Sequence, residues 1–331
     1  MNIIRFFDAV YWDNRLRLGS QRRSWRRDLL LYAKNRALRP RETRLVRRYF
    51  RDDLPTVFIV GVPRSGTTLL FQLMARHLEV GYVNNFMARY WMAPVYAARK
   101  FERVYPDCRW REDPESDFGA AEGLMEPHEF SWFWQFWLEF GATDHLTREE
   151  WDAIDWEPPR AEILALAGWF ARPVVFKSIN YTNYHIAWLH ELFPKARFIW
   201  MRRDPRYTAQ SILGVRESRY GDRKRWWSVR PRDVEVWRHR PPEEQVAHQV
   251  HDIETAIEGA FAQLPARAGF TVSYEALTAD PRRELAALAT FLETPLRDGT
   301  ALETLSLAHR NHRSLPEADW TALTAALERG Q

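Results

Sequence analysis

The chain has 331 residues, 46% hydrophobic and 28% charged, with 48 basic and 44 acidic side chains for a formal charge of +4. That is the composition of a globular chain with a core, and the length suits one large α/β domain or two small ones. A single cysteine, Cys108, excludes an internal disulfide or a cysteine-built zinc site, and no apolar run nears the roughly 18–20 residues that span a bilayer.

The opening MNIIRFFDAVYWDNR lacks the basic-then-apolar order of a secretory signal, so a soluble, cytoplasmic protein is expected. Residues 1–50 hold 14 basic and 4 acidic residues, net +10. They read as two or three short arginine-rich amphipathic helices, broken at Pro40 and at Asp52-Asp53-Leu54-Pro55. The expected division is an N-terminal extension, 1–54, ahead of a main domain, 55–331. Thr56-Val57-Phe58-Ile59-Val60 is a short run rich in β-branched residues, bounded by Gly61 and Pro63, as in a strand buried on both faces. A helix follows over Leu69–Leu78. The alternation then recurs: a strand at Pro173–Phe176, a helix at Tyr184–Leu192, a strand at Arg197–Met201, and a helix from about Arg206 to Leu213. A long helix at Glu243–Leu264, a strand at Phe270–Ser273 and a helix at Pro281–Leu292 complete it. The pattern predicts an α/β fold with a parallel central sheet flanked by helices. Residues 80–170, aromatic and mostly helical, and residues 216–242, rich in tryptophan and arginine, are predicted insertions over the carboxyl ends of the strands, where ligands bind.

Gly61-Val62-Pro63-Arg64-Ser65-Gly66-Thr67-Thr68 has P-loop spacing. Small residues there let backbone N–H groups converge on an anion at a helix N-terminus. A nucleotide triphosphatase needs lysine where Thr67 stands, to reach the β- and γ-phosphates. Here the loop carries Arg64 instead, and no apolar run ends in an acidic residue suited to a Walker-B magnesium site. A donor with a terminal sulfuryl group suits these parts better.

Pro63 to Thr68 resembles the 5′-phosphosulfate loop of sulfotransferases that use 3′-phosphoadenosine 5′-phosphosulfate (PAPS). Arg203, Pro205 and Ser211 reproduce the family's second hallmark, an arginine and serine that grip the 3′-phosphate. A guanidinium fork with a hydroxyl one or two turns into a helix is a sound phosphate clamp. Ser273-Tyr274-Glu275-Ala276-Leu277 followed by Asp280-Pro281 resembles a further segment of the family, which makes Tyr274 a donor-site candidate. The tail Arg310-Asn311-His312-Arg313-Ser314 lies where relatives close a basic loop over the 3′-phosphate, with Arg313, or else Arg310, the candidate. The resemblance spans about residues 55–315, is closest to bacterial members, and implies a P-loop nucleotide-kinase-like sulfotransferase fold.

Sulfuryl transfer needs an in-line acceptor oxygen, a base, and cations on the leaving phosphate. Arginine and lysine can supply that charge, and no metal is assigned; His248 and His251, three apart on a helix, do not suffice for one. Lys177, one of only five lysines, follows a buried strand where many relatives carry a lysine. It would hold the bridging oxygen, with Arg64 and Thr68 on the leaving-group side. The histidine base of cytosolic relatives is replaced here by Ile179. Glu126-Pro127-His128-Glu129-Phe130 resembles the Pro-x-Glu-Phe element of bacterial members, so Glu129 is the candidate base, followed by His128, Glu126 and Glu122. Asn85, Arg89, Asn180, Tyr181 and Asn183 are further candidates near the site by topology. The aromatic run Phe130–Phe140 reads as core packing or as an apolar wall for the acceptor.

The reading is therefore a PAPS-dependent sulfotransferase acting on a hydroxyl or amine of a small-molecule, lipid or glycan acceptor. No nucleic-acid partner is expected, and residues 1–50 are a candidate for peripheral membrane contact. An ATP-dependent P-loop kinase or hydrolase is one alternative, set against by the absent lysine. The other is a non-catalytic basic protein that binds membranes or nucleic acid, which leaves both phosphate motifs unexplained.

Overall fold

The computed structural model describes residues 25–108, 110, 116–117, 120–121, 123–138, 143–297 and 302–329. Helix α1 spans Trp25–Tyr49, strand β1 Thr56–Val60, α2 Thr67–His77 and β2 Gly81–Tyr82. After α3 (Pro94–Val104) come a short antiparallel ribbon (Ser116–Asp117 with Ala120–Ala121), α4 (Ser131–Trp137) and α5 (Glu157–Phe170). Then follow β3 (Val174–Lys177), α6 (Ile179–Thr182), α7 (Ile186–Leu192), β4 (Arg197–Arg202), α8 (Pro205–Tyr220) and α9 (Pro242–Phe261). The chain finishes with β5 (Gly269–Ser273), α10 (Tyr274–Ala279), α11 (Pro281–Phe291) and α12 (Glu317–Arg329).

Among the described residues the central sheet has five strands, all parallel, in the order β2-β3-β1-β4-β5. Every residue of β1 is buried, and its side chains divide between two cores. Phe58 and Val60 join Phe176, Phe198 and Trp200 in one, while Val57 and Ile59 join Val175, Ile199, Met201 and Val272 in the other. An unbroken apolar run is the sequence form of a strand covered on both faces. From β1 the chain moves toward the β2 edge, and from β4 toward β5. The loops after these two neighbours diverge, leaving a crevice at their carboxyl ends. Among the described residues no helix is long and apolar enough to cross a membrane.

Two boundaries differ from those the local sequence predicts. Pro40 does not break the first helix but lies inside α1, although it removes one intrahelical hydrogen bond. Tertiary contacts on both sides of it offset that loss. Asn35 accepts from the Met92 N–H (3.1 Å) and donates to the Arg89 carbonyl (3.0 Å). Arg39 donates to the Met92 carbonyl (3.1 Å) and pairs with Glu162, and buried Glu42 accepts from the N–H groups of Val95 and Tyr96, each at 2.8 Å. Likewise α8 runs past Gly214 to Tyr220 rather than ending near Leu213. Arg216, fully buried, donates to Gln245 (2.9 Å) and Gln249 (3.0 Å) of α9 and fixes that last turn.

Glu42→Ala is expected to destabilise the fold by about 2–4 kcal/mol, because it strands two N–H groups at the start of α3. Denaturant unfolding would measure it, and an unchanged midpoint would contradict this role.

Candidate active site

The loop after β1 closes around its own backbone. Gly61 (φ 150°) and Gly66 (φ 104°) both have conformations that side chains rarely adopt. A Cβ on Gly61 would sit 2.5 Å from the Met201 carbonyl oxygen, and one on Gly66 2.8 Å from Met201 Cε and 3.0 Å from the Tyr274 ring. Arg64 also has a positive φ, 73°, a strained state for a non-glycine residue. Asn183, buried at the end of α6, accepts from the Gly61 N–H (3.1 Å) and donates to the Gly61 carbonyl (2.9 Å). The loop mouth is thus fixed from a segment 122 residues away. Ser65 is 1% exposed, and its hydroxyl has no hydrogen-bond partner among the described residues.

Across the crevice, Arg203 follows β4 and reaches the same loop. Its Nη1 donates to the Arg64 carbonyl (3.0 Å), its Nε to Asn311 Oδ1 (2.7 Å) and its Nη2 to the Arg310 carbonyl (2.9 Å). The guanidinium lies 4.4 Å from the centre of the Tyr274 ring, and burial pulls its pKa below the ordinary arginine value. Arg64 Nε donates to Ser211 Oγ on α8 (3.0 Å). Arg64, Arg203, Ser211 and Tyr274 therefore form one cluster with the glycine loop, which contains Pro63, Ser65, Thr67 and Thr68.

Residues 308–315 close over this cluster. Tyr274 Oη donates to the Ala308 carbonyl (3.3 Å) and accepts from the Arg310 N–H (3.0 Å). Gln210 on α8 donates to the His312 carbonyl (3.0 Å) and accepts from the N–H groups of Ser314 (2.8 Å) and Leu315 (3.1 Å). Asn311 donates to Glu275 Oε1 (2.6 Å), which also accepts from the Asp204 N–H (3.1 Å). The Arg313 side chain is paired with Glu317 at 2.5 Å; the tail meets Arg203 through Arg310 and Asn311. Sequence reasoning missed Asn311 and Gln210 as site residues. Their partners lie about a hundred positions away, and no local pattern marks them.

Lys177 ends β3 beside Ile59 of β1, two residues before Gly61. Its ammonium pairs with Glu129. The lysine side chain is 4% exposed and the glutamate 35%, so this pair joins the buried strand ends to solvent. Residues 127–130 are held in place from several directions. The His128 N–H donates to the Val83 carbonyl (2.9 Å), Pro127 bridges to Asn84, and Ser178 Oγ donates to the Glu129 carbonyl (2.6 Å). Phe130, left-handed at φ 56°, donates its N–H to His128 Nδ1 (2.8 Å). With Nδ1 accepting, the assigned tautomer carries its proton on Nε2. Burial, together with nearby Lys177, lowers the His128 pKa against the opposing pull of Glu129, which favours the neutral ring.

Glu126, three residues earlier, is buried against α2, with its oxygens on Gln72 (3.0 Å) and Arg76 (2.6 Å). Asn85 supports the same loop, donating to the carbonyls of Gly123 (2.7 Å) and, through its backbone, Glu126 (3.0 Å). Arg89 is exposed and Tyr181 buried. Glu122 lies outside the described residues, as do the last two residues of the aromatic run. Phe133, Trp134 and Phe136 of α4 are buried in the core. His248 bonds Asp233 (2.8 Å) and stacks on Trp237, with Asp252 close by, while His251 is exposed.

Beyond Lys177, Asn180 donates to buried Asp144 (3.0 Å), which also accepts from the Arg230 N–H and guanidinium, each at 3.1 Å. His185 accepts from the Leu146 N–H through Nε2 (3.0 Å), while its Nδ1 faces the Tyr181 carbonyl (3.1 Å). These bonds fix residues 143–146 over α6. Burial lowers the His185 pKa to about 4. The unfolded chain therefore binds more protons between the ordinary value near 6.5 and 4, and stability falls as pH drops through that window. His185 is expected to account for about 3 kcal/mol of that loss. Unfolding free energies at pH 7 and pH 4 would show it as a smaller drop in a His185→Gln variant; equal drops would contradict it.

The family model described as sulfotransferase family matches residues 55–298. A sulfotransferase from Mycobacterium tuberculosis superposes with a TM-score of 0.52 at 16% identity, covering 84% of this chain and 76% of that one. One from Mycobacterium avium gives 0.47 at 16% identity over 83% and 68%. The sulfotransferase domain from the curacin biosynthetic pathway gives 0.44 at 15% over 84% and 96%. No curated protein matches the chain. The family match extends from just before β1 to beyond α11, taking in the glycine loop, Lys177, Arg203 and Ser211: the chain belongs to the sulfotransferase family.

Proposed function

We propose that the protein transfers the sulfuryl group of PAPS to an acceptor hydroxyl or amine, releasing 3′-phosphoadenosine 5′-phosphate (PAP). The observation that carries this reading is the convergence of the lysine-free glycine loop, Arg203 and Ser211 at one crevice. The residues fit a donor with phosphate at two positions. The loop offers backbone N–H groups at the start of α2 and the buried, unpartnered Ser65 hydroxyl, which suits an anionic oxygen. Arg203 and Ser211 suit a second phosphate. With threonine at position 67, the loop lacks the side chain that serves γ-phosphoryl transfer.

In this reading the acceptor enters from the exposed side of Glu129. The acceptor oxygen, or nitrogen for an amine, forms the new bond to sulfur as the bond from sulfur to the 5′-phosphate oxygen breaks. Its proton passes to the Glu129 carboxylate, and the electron pair of the broken bond stays on the phosphate. Lys177, Arg64 and the loop amides stabilise that charge, with Thr68 alongside. His128 is a positioning residue: its neutral ring receives the Phe130 N–H and holds the turn that carries Glu129. The acceptor is a hydroxyl or amine of a small molecule, lipid or glycan, and the reaction takes place in the cytoplasm.

The test is incubation with sulfur-labelled PAPS and a panel of phenols, glycosides and lipid alcohols. Label transfer with stoichiometric PAP release supports the reading. Transfer or hydrolysis of the ATP γ-phosphate, without any response to PAPS, overturns it.

A further inference from the structure

A cavity of about 450 Å³ lies between α1 and α3, away from the crevice. Six cations line it: Arg41, Arg44 and Arg48 from α1, and Arg99, Lys100 and Arg103 from α3. None has a carboxylate partner among the described residues. Lys100 donates to Tyr90 Oη (3.1 Å), Arg44 to the Pro40 carbonyl (3.3 Å), and Arg48 lies over the Tyr49 ring. The acids nearby are committed elsewhere. Glu42 is buried on the N–H groups that open α3, and Glu102 accepts from Trp169 Nε1 (3.0 Å). Six like charges across one groove repel, at a cost to the folded state that a bound anion would remove.

The groove opens far from the glycine loop. Helix α1 ends at Tyr49, shortly before β1 begins, and Trp169, near the end of α5, packs edge-on against Tyr49 while bonding Glu102 of α3. That end of both helices therefore lies at the amino ends of the strands, opposite the crevice. Apolar side chains flank the cations there: Phe50 is 40% exposed, Val104 47% and Tyr105 37%. A free phosphate gains nothing from exposed apolar neighbours. A bilayer surface uses both features, with headgroup phosphates among the arginines and the apolar groups at the headgroup boundary.

We infer that the α1–α3 groove is a membrane-surface site that takes the phosphate headgroups of acidic phospholipids. It is independent of the sulfuryl-transfer reading. The test is co-sedimentation of the full chain with phosphatidylcholine vesicles, with or without about 30% phosphatidylglycerol, at roughly 0.1 M salt. Binding to the acidic vesicles alone is expected, weakening as salt rises. A variant with Arg44→Gln, Arg48→Gln, Arg99→Gln and Arg103→Gln should lose about a hundredfold or more in vesicle affinity. It should keep the wild-type affinity for PAP, and its melting temperature should be equal or higher because repulsion is relieved. Should the fourfold variant not fold, Arg48→Gln and Arg103→Gln singly must each weaken vesicle binding several-fold.

Wild-type binding by the folded fourfold variant would overturn the inference, as would equal binding to neutral vesicles. Absence of vesicle binding, with inorganic phosphate raising the melting temperature of the wild type and not of the variant, would identify a free-anion site instead and also overturn it.

Discussion

Glu129→Gln is expected to lower kcat by about 10²- to 10⁴-fold, the range for loss of a positioned general base, while PAP affinity stays within about twofold of wild type. The substitution keeps the size of the side chain and removes its capacity to take a proton. The backbone around it is held by Val83, Asn84 and Ser178, none of which depends on the carboxylate, so the turn should persist. Lys177 loses its counter-charge but remains next to the glycine loop, where its attraction for the leaving phosphate is undiminished. The separation of kcat from donor binding distinguishes a base from a brace. If both fell together, Glu129 would be holding the site in shape. A Glu126→Gln variant is the natural contrast: its neighbours are Gln72 and Arg76, so its cost should fall on stability.

Arg203→Ala should weaken PAP binding by about a hundredfold or more, the scale for truncating one partner of a buried, hydrogen-bonded charge pair. Three donors of one guanidinium reach the Arg64 carbonyl, Asn311 and the Arg310 carbonyl, so the side chain ties the glycine loop to residues 308–315. Its removal takes away the charge and loosens the tail together. Arg203→Lys restores the charge without the planar fork or the stacking on Tyr274, and should recover only part of the loss. Calorimetric titration with PAP measures both variants. Wild-type affinity in Arg203→Ala would remove this residue from the donor site.

Much of the frame was legible because its signals are local. The unbroken run from Thr56 to Val60 announces a strand with no solvent face, and Gly61 and Gly66 announce a loop whose backbone side chains would obstruct. Arg203 and Ser211 share one strand–helix junction, so their spacing survives in the sequence. Other features depend on distant partners. Pro40 reads as a helix break until Asn35, Arg39 and Glu42 are seen stitched to residues 89–96 and to Glu162 of α5. Glu129 leads Glu126 as candidate base only through the resemblance of residues 126–130; what separates them physically is the register of one short loop, set at Asn84 and Val83, which sends Glu126 to α2 and Glu129 to Lys177. Asn311 and Gln210 gain their roles only when residues 308–315 return across the crevice.

The most direct measurement compares PAP with AMP, which is PAP without its 3′-phosphate, by calorimetry on the wild type and on Arg203→Ala. The wild type should prefer PAP by about a hundredfold, and that preference should collapse in the variant. Equal affinity for the two nucleotides in the wild type, or a preference for ATP with magnesium, would contradict the account.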